Sequence, residues 1–117
     1  MFKLFVYGTL LPGNVRGSIL AQEKRLGADT LLNYKLVDCG SYPAVIYSPG
    51  NRVLGEVFEV RDSLRDSLDC IEDEGNLYER KSVLLMSGLM AETYVYLKDS
   101  SRFPEIPLDA QPYHRVK

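Results

Sequence analysis

Two groups of residues, far apart along the chain, have types and spacings suited to chemistry. The first is Tyr7-Gly8-Thr9-Leu10, which ends the apolar run MFKLFVYGTL. A glycine at a strand exit can take backbone conformations closed to other residues, so that consecutive N–H groups converge on an anion or a carbonyl oxygen. Strand corners also carry glycine for steric reasons alone. The second is Glu72, at the end of a helix expected over about residues 62–72, with Asp62 or Ser63 as N-cap. Leu64, Leu68 and Ile71 form its apolar stripe. At about 100° per residue, Glu72 falls about 40° from Leu68, whereas Asp66, Asp69 and Asp73 are turned away by about 100° or more. Glu72 therefore faces the edge of the core, and the three aspartates read as a solvated face. A carboxylate beside apolar side chains has its charged form disfavoured, so its pKa rises and it can both take and return a proton near neutral pH. The plainer role open to Glu72 is an ion pair with Arg65 or Arg80.

The elements that must position these groups are mostly strands. Phe2, Leu4 and Val6 fall on one side of a period-two pattern and Phe5 and Tyr7 on the other, the mark of a central strand covered on both faces. Between Leu10 and Gly27 the spacing predicts a short helix or an irregular crossover. Extended pieces follow at Leu31 to Val37 and Ala44 to Tyr47, interrupted by Gly40-Ser41-Tyr42-Pro43 and closed by Ser48-Pro49-Gly50. Val53 to Val60 is strongly β-prone, and its Gly55 signals a bulge or a close backbone approach. Arg80 to Met86 and Leu89 to Leu97 flank Ser87-Gly88, the spacing of a tight hairpin. Pro104, Pro107 and Pro112 exclude a regular helix in the tail from Lys98 to Lys117 and favour an extended strap.

Composition bounds the function. The chain has 117 residues, 45% of them apolar, which suits one domain over residues 1–117. A formal charge of -2 with 26% charged residues of both signs supplies neither a basic stripe for nucleic acid nor a basic amphipathic helix for membranes. No apolar run approaches the roughly 18 residues of a membrane span, and Met1 leads directly into a strand, so a cytoplasmic protein is expected. Cys39 and Cys70 lack close spacing and read as buried free thiols. With His114 the single histidine, no metal-ligand spacing is present.

Read in order, VYGTL at Val6 to Leu10, SYPAV at Ser41 to Val45, GEVFEV at Gly55 to Val60, LDCIEDEGNLYER at Leu68 to Arg80 and TYVYL at Thr93 to Leu97 make the chain resemble the γ-glutamylcyclotransferase-like family. That family includes γ-glutamylamine cyclotransferases and the avirulence-induced plant proteins, and the resemblance covers nearly the whole chain. It implies an α+β fold, a small mixed-sheet β-barrel with short flanking helices. It also implies conversion of a γ-glutamyl amine or amide to 5-oxoproline and a free amine, by intramolecular attack of the α-amine and without a cofactor. By position, the catalytic glutamate of the family matches Glu72, and the tyrosine and arginine beyond it match Tyr78 and Arg80. The substrate-cradling loop matches Tyr7, Gly8, Thr9 and Leu10, holding either the substrate's α-carboxylate or the oxyanion formed at its γ-carbonyl. The tyrosine-proline pair matches Tyr42 and Pro43. Tyr78, Tyr94 and Tyr96 are pocket or core aromatics. Many relatives carry a small residue directly after the glutamate and a proline soon afterwards, where this chain has Asp73-Glu74-Gly75-Asn76. Sliding the match would nominate Glu74, but Glu72 fits the spacing to both Leu68 and Tyr78. The partner implied is a small γ-glutamyl substrate bound by a monomer or weak homodimer. The competing readings are a non-catalytic small-metabolite-binding module of the same fold and a hydrolase releasing free glutamate.

Overall fold

The computed structural model describes residues 1–14 and 16–113. Five strands, β1 (Phe2–Val6), β2 (Lys24–Asp38), β3 (Pro43–Val60), β4 (Tyr78–Leu84) and β5 (Met90–Tyr96), form one mixed sheet in the order β2-β3-β1-β5-β4. The apolar opening segment lies at its centre, antiparallel to β3 with Phe2 opposite Val60, and parallel to β5 with Leu4 opposite Glu92. Leu4, Phe5 and Val6 are all buried, so both faces of β1 are covered, as continuous apolarity demands. The α+β class is as expected, but the barrel is not: the sheet stays open. Its edges β2 and β4 meet at one isolated bridge, Leu31 to Leu85, beside which the Met86 N–H donates to the Thr30 carbonyl at 2.8 Å. The lengths explain why. β4 has seven residues against fifteen in β2, so most of the long edge has no strand to close against.

Two turn signals resolve differently from their sequence reading. Ser48-Pro49-Gly50 does not end a strand, because β3 runs through it as an extended bulge. Residues 48–51 stand opposite Asn33 alone, between the pairs Leu32–Arg52 and Tyr34–Tyr47. Asn33 takes φ 69°, and its side-chain oxygen accepts from the Gly50 N–H at 3.2 Å. Asn tolerates this left-handed conformation, so the extra residues are absorbed without breaking the ladder. In the β4–β5 hairpin the turn has three residues, 86–88, with the Leu85 N–H donating to the Leu89 carbonyl and Gly88 at φ 94°. Gly55 is a close approach: a Cβ there would stand 2.3 Å from the Val6 carbonyl oxygen.

The β1–β2 crossover carries a 3-10 turn at Gly17–Leu20 that buries Leu20. The β3–β4 crossover begins with a 3-10 turn at Asp62–Leu64 and continues as helix α1, Arg65–Ile71, so the helix starts later than expected. Neither Asp62 nor Ser63 caps it through a side chain; Leu64 holds the N-cap position, and the Asp62 carboxylate instead accepts from the Met1 amine at 3.0 Å. Leu68 is fully buried, worth about 1.5–3 kcal/mol, while Leu64 and Ile71 are half-buried. Cys70 is exposed, not buried, because two residues of helix turn it about 200° from Leu68.

Ion pairs pin α1 across the sheet. The Arg65 guanidinium lies over the Phe2 ring at 4.2 Å and donates to both carboxylate oxygens of Glu92, at 3.1 and 3.2 Å. Asp69 is not on a solvated face: it accepts from the Arg80 guanidinium and, at 2.6 Å, from the Tyr94 hydroxyl. The tail is an extended strap, with the Asp38 N–H donating to the Pro104 carbonyl at 2.9 Å and the Ile106 N–H to the Leu36 carbonyl at 2.8 Å. It is interrupted by a 3-10 turn at Leu108–Ala110. His114 lies outside the described residues. Among those residues no helix is long and apolar enough to cross a membrane.

Candidate active site

A cavity of about 240 Å³ opens where β1 ends, and its wall brings together Tyr7, Gly8, Thr9, Leu10, Tyr42, Pro43, Glu72 and Tyr78 of the residues singled out in the sequence, while Arg80 and Glu74 lie off it. Tyr94 lines it too, whereas Tyr96 stacks edge-on against Tyr78 and Phe103. The volume is below the usual range for drug-sized ligands and suits a group the size of an amino acid.

The loop after β1 is held from three sides. The Leu11 N–H donates to the Gly8 carbonyl and the Arg16 N–H to the Thr9 carbonyl, at 3.0 and 2.8 Å. The Asn14 carboxamide donates to the carbonyls of both Gly8 and Tyr113, each at 2.9 Å, tying the loop to the strap. With those carbonyls engaged, the N–H groups of Gly8, Thr9 and Leu10 find no acceptor among the described residues. Gly8 is required here, but not for an unusual dihedral, since it is absent from the residues with positive φ. A Cβ on it would stand 2.7 Å from Pro43 Cγ, so glycine lets the loop close on the Tyr42-Pro43 corner. That corner is fixed in turn by the Tyr78 hydroxyl, which donates to the Pro43 carbonyl at 3.0 Å.

Glu72 is the residue that ends α1, its N–H bonded to the Leu68 carbonyl at 3.0 Å. Asp73 follows at φ 53° and Gly75 at φ 89°, with the Asn76 carboxamide donating to the Asp73 carboxylate at 2.7 Å. The segment that departs from the family motif is thus a helix terminator using an αL aspartate, which swings the chain into β4. Glu74 is exposed and takes the Arg80 backbone N–H at 3.3 Å, outside the cavity. The Glu72 side chain is 13% exposed, and burial pushes its carboxyl from an ordinary 4.5 up to about 7, against a smaller pull downward from Arg16. Neither Arg65 nor Arg80 is its partner; Arg16 Nη1 stands 3.2 Å from Glu72 Oε2.

Burial pushes the hydroxyls of Tyr7 and Tyr78 well above the usual tyrosine range, with negative neighbours adding to it, so both are neutral donors. Tyr7 donates to the Tyr94 carbonyl at 2.6 Å. Burial alone would raise the Asp69 carboxyl, but the hydrogen bonds from Arg80 and Tyr94 outweigh it and hold Asp69 below the ordinary carboxylate value. Three residues on or beside this wall escaped sequence reasoning. Arg16 and Asn14 sit in a polar loop with no periodicity to place them, and Ser41 stands out in the sequence only as part of a motif.

The comparisons with known proteins bear on the family and the fold. The model of the gamma-glutamyl cyclotransferase, AIG2-like family matches residues 4–115. The gamma-glutamylcyclotransferase family protein YtfP of Escherichia coli K12 is 32% identical over 95 residues, which span 80% of this chain and 81% of that protein. A putative gamma-glutamylcyclotransferase of Drosophila melanogaster is 30% identical over 107 residues, 81% of this chain and 68% of that protein. Among solved structures, an uncharacterised protein of Pyrococcus horikoshii superimposes with a TM-score of 0.78 at 26% identity, covering 91% of this chain and 86% of that one. An AIG2-like protein of Mus musculus gives a TM-score of 0.78 at 23% identity over the same shares, a likeness of fold. The chain belongs to the AIG2-like γ-glutamyl cyclotransferase family.

Proposed function

We propose that this protein is a γ-glutamyl cyclotransferase, releasing 5-oxoproline and a free amine from a γ-glutamyl amine or amide, with Glu72 as general acid and base. The observation that carries this reading is a carboxyl only 13% exposed, on the wall of a small cavity that also presents the backbone of Gly8, Thr9 and Leu10, where burial raises its pKa to about 7. Such a substrate contains its own nucleophile. At neutral pH the α-amine is mainly an ammonium ion and cannot attack. Glu72 takes a proton from it; the amine nitrogen bonds to the γ-carbonyl carbon and the carbonyl electrons move onto oxygen. The oxyanion collapses, the bond to the leaving nitrogen breaks as Glu72 returns the proton to that nitrogen, and the ring nitrogen gives its second proton to the re-ionised Glu72, which passes it to the released amine or to water. A group titrating near 7 suits these transfers. The loop amides supply donors for the oxyanion, where one lost donor costs on the order of a hundredfold in rate. Holding the five-membered ring geometry supplies up to about 7–11 kcal/mol more.

The test is 5-oxoproline release from a panel of γ-glutamyl amines by the wild type and by Glu72→Gln. The wild type is expected to release 5-oxoproline, and Glu72→Gln, folded by circular dichroism, to lose at least about a hundredfold in turnover. Full turnover by the variant overturns the role of Glu72; release of free glutamate in place of 5-oxoproline overturns the cyclisation.

A further inference from the structure

Resting on the cyclotransferase reading, the geometry points to Arg16 as the residue that reads the α-carboxylate of the substrate, exchanging its bond to Glu72 for that carboxylate as the α-ammonium takes its place on Glu72. Among the described residues that line the cavity, Arg16 is the one cation and Glu72 the one anion. Their charged atoms are 3.2 Å apart, and the two ends of the pair differ: Arg16 is 44% exposed at the mouth while Glu72 is 13% exposed within. One Arg16 nitrogen meets Glu72, whereas a guanidinium carries five N–H donors in a fork matched to a carboxylate.

An α-amino acid end has an ammonium and a carboxylate on a single carbon, the charge-inverted image of this pair. A ligand carrying both charges pairs both protein groups. A ligand lacking the carboxylate separates Arg16 from Glu72 and leaves it water at the mouth in place of that partner. The exchange also leaves the loop amides for the γ-carbonyl. The α-ammonium takes over the attraction that Arg16 exerts on Glu72, so the carboxylate keeps a cationic partner through the exchange. The other titratable side chains on the cavity wall whose hydroxyls feel the Glu72 charge, Tyr7 and Tyr78, remain neutral.

The probes are L-methionine sulfoxide, a glutamine-like zwitterion that cannot cyclise, and its α-carboxamide, titrated calorimetrically into the full chain. Wild type is expected to bind the acid about 10- to 100-fold more tightly than the carboxamide. In Arg16→Gln, checked for its fold by circular dichroism, this ratio should fall to within about twofold, while Arg16→Lys, which keeps the charge without the fork, should hold an intermediate ratio. A preference that survives Arg16→Gln, or a wild type that shows none or binds neither probe, overturns the inference. Turnover is measured separately as 5-oxoproline release. An Arg16-dependent preference in a protein that releases none leaves this inference standing and overturns the cyclotransferase reading, and turnover without that preference does the reverse.

Discussion

Replacing Glu72 by Gln should make the protein more stable at alkaline pH, and the size of the gain can be worked from the cavity. The carboxyl titrates near its ordinary 4.5 in the unfolded chain and at about 7 in the folded one. Between these values the folded state binds more protons than the unfolded state, so stability falls as pH rises. Each pKa unit corresponds to about 1.4 kcal/mol, so the wild type loses about 3 kcal/mol over this window, present in full above about pH 7. With the side chain 13% exposed, little of that is screened by solvent. Glutamine keeps the shape without the charge; the pull of Arg16 is already contained in the value of about 7, and against the gain stands the imperfect pairing of the glutamine amide. A net gain of about 1–2 kcal/mol is expected near pH 8, shrinking to zero or reversing near pH 5, where the native wild-type carboxyl is already protonated. Urea unfolding of both proteins across this range, followed by circular dichroism, measures the difference, in which all other titrating groups cancel. A stability difference that does not change with pH, or one that favours the wild type more strongly at pH 8 than at pH 5, refutes the picture of a charge held in a desolvated site.

Gly8→Ala would drive a Cβ to 2.7 Å from Pro43 Cγ. Overpacking of this kind costs about 1–3 kcal/mol, and the loop amides shift with it. Turnover should therefore fall further than the folded population, as read from 5-oxoproline release beside a urea melt; unchanged kcat/KM would show that the close approach has no bearing on the site. Asp69→Asn weakens the bonds from Arg80 and Tyr94 that pin α1, for a loss of about 2 kcal/mol at neutral pH. Because the native Asp69 carboxyl titrates below its ordinary value, its contribution is present above that value and lost as pH falls through the native one, so the deficit of the variant should narrow in acid. A deficit that persists undiminished at low pH would mean that packing and not charge is what Asp69 supplies.

The legible parts of the fold were those written in local pattern. β1 is buried on both faces because its apolar residues occupy both parities, and the β4–β5 hairpin follows from two β-prone runs around Ser87-Gly88. The α1 stripe placed Leu68 in the core and Glu72 at its margin. What failed had distant causes. Ser48-Pro49-Gly50 has the chemistry of a turn, and only the opposing strand, through Asn33, makes it a bulge. Asp69 looks solvated from its helical angle because nothing local reveals that Arg80 and Tyr94 come to meet it from β4 and β5. Barrel closure was implied by resemblance, and the short β4 leaves it incomplete.

The same limit explains why half of the ionic pair in the cavity was invisible. Glu72 announces itself through a helix, whose period fixes the direction of each side chain. Arg16 lies in a turn with no period, and its position is set by the Arg16 N–H bond to the Thr9 carbonyl and by the Asn14 bonds to Gly8 and Tyr113, all of them tertiary. The acid is thus mounted on α1, behind Leu68 and the Asp69 bonds, and its counter-charge on a pinned turn whose arginine side chain is 44% exposed. That division is what the proposed exchange requires, with Glu72 staying beside the loop amides while Arg16 changes partners. A rigid cation would hold Glu72 ionised but unavailable, whereas one carried on an exposed turn can leave when a carboxylate arrives.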